Sequence, residues 1–171
     1  MKYLITGGSG SGKSTWAEKL VRALPESEKF YIATMKVYDD ESVERVKRHR
    51  LQREGLGMTT IEMPANVSQA QISGGSAILI EDVPNLLANE MFGGGDPGRI
   101  AGDIYALSLK ARDAVIVTND VFSDGMSYGE GTMEYMRRLA GINAALARIC
   151  DCVVEVVCSI PLCVKGELPC V

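Results

Sequence analysis

A mostly parallel, twisted α/β sheet with helices on both faces is the fold this sequence predicts. Short apolar runs alternate with helix-spaced segments along the chain, the spacing expected of βαβ units. The first run ends in a glycine loop that opens a helix, and a later run ends in two acids. At 171 residues the chain has the length of one domain, and it shows neither an internal repeat nor a low-complexity linker.

The elements follow in order. "KYLIT" (2–6) is a buried strand. Residues 14–24 place Ala17, Leu20, Val21 and Leu24 at helical spacing, and Pro25 stops them. "FYIAT" (30–34) is a second strand. The charged segment 39–53 starts with "DDES" and predicts a surface helix anchored by Val43 and Val46. "TTIEM" (59–63) is a short strand, and "SAILIED" (76–82) is the clearest one of all. Leu86, Leu87, Glu90 and Met91 continue it as a helix that "GGGDPG" (93–98) breaks. A helix over 99–112, the strand "AVIVT" (114–118), a helix over 132–149 with Met133, Met136, Ala140, Ile142 and Leu146 inward, and a last strand "CVVEVV" (152–157) complete the pattern.

Composition excludes several classes of function. A net charge of -4 gives no reason to expect nucleic acid or an anionic membrane as partner. No apolar run reaches the length of a membrane span, and "MKYLITGG" leaves no room for a signal peptide, so a cytoplasmic location is expected. The five cysteines, Cys150, Cys152, Cys158, Cys163 and Cys170, lie late and form no CxxC pair. Free thiols in or near the core are expected rather than a zinc site.

The glycine loop carries the strongest chemical signal. Gly7, Gly12, Lys13 and Ser14 in "GGSGSGKST" satisfy G-x-x-x-x-G-K-[ST] at a strand-to-helix junction. Glycines let backbone N–H groups approach phosphate oxygens, and the helix beginning near Ser14 points its positive end at the same anion. Lys13 supplies a charge to the β- and γ-phosphates, and the Ser14 hydroxyl can ligate Mg²⁺. The expected fold is therefore a P-loop NTPase of the RecA-like kind, binding GTP or ATP. In such a fold Glu81, ending "ILIED" with Asp82 behind it, is placed to hold Mg²⁺ or a water.

His49, the chain's single histidine, sits in "ERVKRHR". On a helix, Arg45, His49 and Arg53 share one stripe. Flanking guanidinium groups disfavour the imidazolium, leaving a lone pair able to attack phosphorus. The pattern alone leaves both a solvated surface histidine and a nucleophile open.

These pieces resemble the adenosylcobinamide kinase/adenosylcobinamide-phosphate guanylyltransferase family of cobalamin biosynthesis. The matching stretches are "LITGGSGSGKSTWAEKL", "YIAT", "DDE" followed by "RVKRHRLQR", "TTIE", "ILIED", "VIVTNDV" and the closing "SIPLCVKG", collinear over nearly the whole chain. The resemblance implies phosphorylation of the aminopropanol hydroxyl of adenosylcobinamide, then transfer of GMP from GTP through a guanylylated histidine, here His49. It implies a nucleotide site built from Gly7, Gly8, Ser9, Gly10, Ser11, Gly12, Lys13 and Ser14, with Ala33, Thr34, Arg50, Leu51, Gln52, Arg53, Glu62 and Glu81, and it implies a homotrimer. The chain departs from the family pattern at Arg48, around Met58, after Asn119 and in "MRRLAGINAAL", which keeps Asn143. A small-molecule kinase without the guanylyl step and a non-catalytic GTP-binding module are the competing readings.

Overall fold

The computed structural model describes residues 1–36, 57–122, 125–126 and 128–169. The expected helix over 39–53, with His49, lies outside the described residues.

Seven strands among the described residues form one sheet: β1 (Lys2–Thr6), β2 (Lys29–Ala33), β3 (Thr59–Glu62), β4 (Ala77–Glu81), β5 (Asp113–Val117), β6 (Cys152–Val157) and β7 (Ile160–Lys165). They lie in the order β3-β2-β4-β5-β1-β6-β7. Every pairing is parallel except that of β6 with β7. The helices are α1 (Lys13–Ala23), α2 (Val83–Phe92), α3 (Ile100–Lys110) and α4 (Glu130–Ile149).

Both sheet faces are covered, and the alternation of side chains along each strand divides the core in two. On one face Tyr3, Ile5, Tyr31, Leu79, Val115 and Val154 pack against Trp16, Ala17, Leu20 and Val21 of α1. On the other, Leu4, Ile32, Ile78, Ile80 and Ile116 meet Leu86 and Leu87 of α2, Ile104 and Leu107 of α3, and Leu139, Ile142 and Leu146 of α4. The five inner strands are therefore mainly apolar on both faces, with polar residues few and mostly at their ends: all five residues of β5 are buried, Asp113 included.

Among the described residues, the expected strands and helices stand within a few residues of their predicted bounds. Three details differ. Residues 97–99 form a separate 3₁₀ turn before α3. In α4, Leu139 is buried and Ala140 is exposed, so the inward stripe runs Leu139, Ile142, Leu146. Of the cysteines, Cys150 and Cys152 are buried while Cys158 and Cys163 are exposed; Cys170 lies outside the described residues.

The larger correction is that β6 is not the last strand. It turns through Cys158 and Ser159 into β7, with Val157 opposite Ile160. Both turn residues have positive φ, 50° and 66°, the sign that the primed type I hairpin turn requires. Such turns ordinarily carry Asn-Gly, so Cys-Ser gives no turn signal. The hairpin also buttresses the glycine loop: the Ser159 N–H donates to the Ser11 carbonyl at 2.8 Å.

Because neither Cys158 nor Ser159 favours positive φ, replacing the pair by Asn-Gly is expected to stabilise the fold by about 1 kcal/mol. Urea unfolding monitored through Trp16 measures this; an unchanged midpoint would show that these angles carry no cost.

Candidate nucleotide site at the strand ends

In a parallel sheet all strand carboxyl ends face the same edge, and ligands of open α/β sheets bind there. Across this edge lie, in spatial order, Glu62 ending β3, Ala33 ending β2 with Thr34 behind it, Glu81 ending β4 with Asp82 behind it, Thr118 and Asn119 after β5, and Gly7 after β1. Ala33 stands opposite Glu62 on one side and Glu81 on the other. Three residues of the predicted site thus come from separate strands and share one row.

The glycine loop leaves β1 and enters α1 at Gly12, whose φ of 91° is left-handed. A Cβ there would stand 2.7 Å from Ser159 Oγ, so both backbone angle and space require glycine. Within the loop the Ser11 N–H donates to the Gly8 carbonyl at 3.2 Å, and the Asp120 N–H donates to Gly7 at 3.2 Å. A cavity of about 280 Å³ lined by Gly10, Gly12, Lys13, Ser14 and Thr15 opens over the helix start. Gly8, Ser9 and Gly10 are exposed. Ser11 Oγ is buried with no hydrogen-bond partner among the described residues.

Lys13 is only 8% exposed, and its ammonium donates to the Gly8 carbonyl at 3.2 Å. Burial pulls its pKa down, while the charges of Asp82 and Glu81 across the edge push it back up. The opposite group shows the same contest. Burial lifts the Asp82 carboxyl above the ordinary aspartate range, helped by the charge on Glu81 and opposed by the Asn85 N–H and Lys13. Asp82 also caps α2, its Oδ1 accepting from Asn85 N at 2.8 Å. Glu81 Oε2 accepts from the Tyr31 hydroxyl at 2.8 Å.

Thr34 joins β2 to β4 beyond the last ladder bond. Its hydroxyl donates to the Asp82 carbonyl at 2.8 Å and accepts from the Asp82 N–H at 2.7 Å. Asn89, one turn and more along α2, donates to the carbonyls of Thr34 at 2.7 Å and Pro64 at 2.9 Å. On the far side of β4, Thr118 donates to Asn143 Oδ1 at 2.7 Å, and Asn143 donates to the Asn119 carbonyl at 3.1 Å. Tyr135 of α4 donates to the Pro84 carbonyl at 3.1 Å, and burial first, then the Asp82 charge, pushes its pKa up to about 12. Tyr31, Asn89, Asn119 and Tyr135 were not expected at this edge. Tyr31, Asn89 and Tyr135 lie on a strand and helices and Asn119 in the loop after β5, where a polar residue reads as ordinary, and no local pattern announces them.

Of the expected residues, Gly7, Gly8, Ser9, Gly10, Ser11, Gly12, Lys13, Ser14, Ala33, Thr34, Glu62 and Glu81 stand on this edge. His49 and Arg50, Leu51, Gln52 and Arg53 lie outside the described residues.

A family model described as cobinamide kinase / cobinamide phosphate guanyltransferase matches residues 3–164. The chain belongs to this family. It is 30% identical over 177 residues to the bifunctional adenosylcobalamin biosynthesis protein CobP of Pseudomonas aeruginosa, covering 98% of this chain and 99% of that one. It is 32% identical to the bifunctional adenosylcobalamin biosynthesis protein CobU of Escherichia coli, with 86% and 90% covered. Among solved structures, an ATPase from the type III secretion system of pathogenic bacteria superposes with a TM-score of 0.52 at 13% identity, over 90% of this chain and 50% of that one. That likeness establishes the P-loop α/β fold. Membership in the cobinamide kinase/guanyltransferase family makes the chain a transferase of cobalamin biosynthesis.

The Asp82 environment has a consequence for stability. A carboxyl whose folded pKa is raised binds more protons in the folded state, so its contribution falls as pH rises from the unfolded pKa through the folded one. Asp82→Asn keeps a capping side chain but cannot ionise. With no nucleotide present, its stability relative to the parent is expected to improve as pH rises from about 4 toward neutrality. Urea titrations at several pH values measure the difference; a gap independent of pH would contradict the assignment.

Proposed function

We propose that this chain phosphorylates the aminopropanol hydroxyl of adenosylcobinamide with ATP or GTP and then transfers GMP from GTP to the resulting phosphate through His49. The observation that carries the reading is the buried Lys13 ammonium in a glycine turn, facing the Glu81–Asp82 pair across the strand ends, in a chain whose family match runs from residue 3 to 164.

In the first reaction the hydroxyl oxygen attacks the γ-phosphorus, the bond to the β-phosphate oxygen breaks, and the nucleoside diphosphate leaves. The loop N–H groups and the N-terminus of α1 hold the phosphates, and Lys13 exchanges the Gly8 carbonyl for phosphate oxygens. The ammonium then meets charge that grows in the transition state, in a site that water screens poorly. The hydroxyl proton passes to the carboxylate pair that ends β4, where burial has already raised Asp82.

In the second reaction the His49 imidazole lone pair attacks the α-phosphorus of GTP and pyrophosphate leaves. A phosphate oxygen of adenosylcobinamide phosphate then attacks the same phosphorus, the P–N bond breaks, and its electron pair returns to the ring. One difficult transfer is thereby divided into two displacements. Arg50, Leu51, Gln52 and Arg53, following the nucleophile, are assigned to the nucleotide with Ala33, Thr34 and Glu62.

The residues present suit Mg²⁺, which favours hard oxygen donors and keeps several waters. The Ser14 hydroxyl lies at the mouth of the loop cavity, and Glu81 ends β4 beside Lys13's field. Bound there, the ion would neutralise phosphate charge. No helix among the described residues is long and apolar enough to cross a membrane, and we assign the enzyme to the cytoplasm as a homotrimer.

Incubation with GTP labelled on the α-phosphate is expected to leave an acid-labile adduct on His49. His49→Asn should abolish that adduct and the GDP-linked corrinoid while phosphorylation of the hydroxyl survives; undiminished guanylylation in this variant would sink the covalent route. Lys13→Ala should slow both reactions by about a hundredfold or more, because both place a triphosphate in one cradle. Chromatography of the corrinoid products reads both activities.

A further inference from the structure

A second cavity, about 540 Å³ in volume, opens on the same edge of the sheet, on the side of β4 away from the glycine loop. It lies between the ends of β2 and β3 and the "GGGDPG" loop after α2. Lys36, Asn66, Asn89, Gly95, Asp96 and Arg99 are among the residues that line it. We propose that this cavity receives the amide-bearing rim of the corrinoid, holding the macrocycle while its aminopropanol arm reaches the phosphates. The proposal rests on the kinase reading above and names where that substrate sits.

The cavity is built, and its walls are held by buried groups. Glu90, 8% exposed, accepts from the Asn66 N–H at 3.3 Å with one carboxylate oxygen and from the Asp96 N–H at 2.9 Å with the other. It thus ties the loop after β3 to the loop after α2. Gly95 lies so close to Glu90 that a Cβ would collide with the carboxylate, so the loop passes there as bare backbone. Asn66 holds a left-handed φ of 50°, which asparagine tolerates. The opposite wall is pinned by Asn89, whose carboxamide bonds to Thr34 and Pro64.

Position and chemistry select the occupant. Asn89 is seven residues beyond Asp82, so the cavity begins about 10 Å along α2 from the acidic pair. A propionamide extended by an aminopropanol is a flexible tether suited to that separation between ring and hydroxyl. The lining carboxylates are already engaged: Glu90 by two backbone N–H groups, Asp96 by the Gly98 N–H at 2.9 Å, and Asp103 by Arg99 at 3.9 Å. What the walls present is the Asn66 carboxamide, the Arg99 guanidinium in its long pair with Asp103, and glycine backbone, which complement the primary amides around a corrin ring. None of the described lining residues is aromatic, so a purine has no ring to stack on. The volume is too small for the whole macrocycle with its adenosyl group, which places one edge of it inside.

Asn66→Gly keeps the backbone angle and removes the carboxamide. Arg99→Ala removes a guanidinium whose side chain is 63% exposed and whose ion pair is long, so the fold loses little. In the double variant the KM for adenosylcobinamide is expected to rise about tenfold, the effect of two lost hydrogen bonds, with the KM for nucleotide unmoved. Equilibrium dialysis of adenosylcobinamide alone, followed by its visible absorbance, should show the same tenfold weakening. An unchanged corrinoid affinity, a shift in nucleotide KM instead, or a parent protein that retains no corrinoid would overturn the proposal. A parent that retains the corrinoid but never phosphorylates it would leave this subsite standing and overturn the kinase reading.

Discussion

A buried ammonium organises the functional end of this molecule. Lys13 stands 8% exposed at the start of α1, where it contacts a backbone carbonyl and feels two carboxylates across the edge. Removing a cation from water is costly unless an anion replaces the lost solvation. Part of that compensation comes from Glu81 and Asp82, yet Asp82 is itself pushed toward its neutral form by burial. The two carboxylates thus supply only part of the balance, and the polyphosphate proposed for the glycine turn would supply the rest. The glycine turn, the row of strand ends and the caps of α1 and α2 all serve to hold these few charges at fixed positions.

That arrangement depends on the sheet's being parallel and buried on both faces. Only then do β1, β2 and β4 end side by side, bringing Gly7, Thr34 and Glu81 from distant parts of the chain to one edge. The edge is reinforced beyond the regular ladder by polar side chains: Thr34 clasps the Asp82 peptide, Asn89 bridges Thr34 to Pro64, and Asn143 bridges Thr118 to Asn119. Each satisfies backbone groups that a loop would otherwise leave unpaired in a partly buried place.

The β6–β7 hairpin adds a support of a different kind. Its turn meets the glycine loop from below, with Ser159 bonded to Ser11 and packed where Gly12 has no side chain. The geometry of the anion site therefore depends on residues nearly 150 positions later in the chain. The contact comes from the turn itself: β6 arrives at the edge that carries the loop, and β7, antiparallel to it, starts there and runs away.

Much of this architecture was legible in the chain itself. Glycines at Gly7 and Gly12 with Lys13 and Ser14 specify a phosphate cradle through local geometry, and apolar runs such as "AILI" specify strands buried on two faces, since no polar residue interrupts them. Both signals are short-range, so they survive in one dimension. Other features depended on contacts between segments far apart. The turn at Cys158 and Ser159 adopts left-handed angles that its residues do not favour, held there by packing against the loop. The inward face of α4 is set by Leu139 rather than Ala140 because helix rotation answers to the neighbouring layer, which periodicity alone does not contain. Tyr31, Asn89 and Asn119 became parts of the edge only when the strands were ordered, for the chemistry of a side chain is written in the sequence while its neighbours are chosen by the packing.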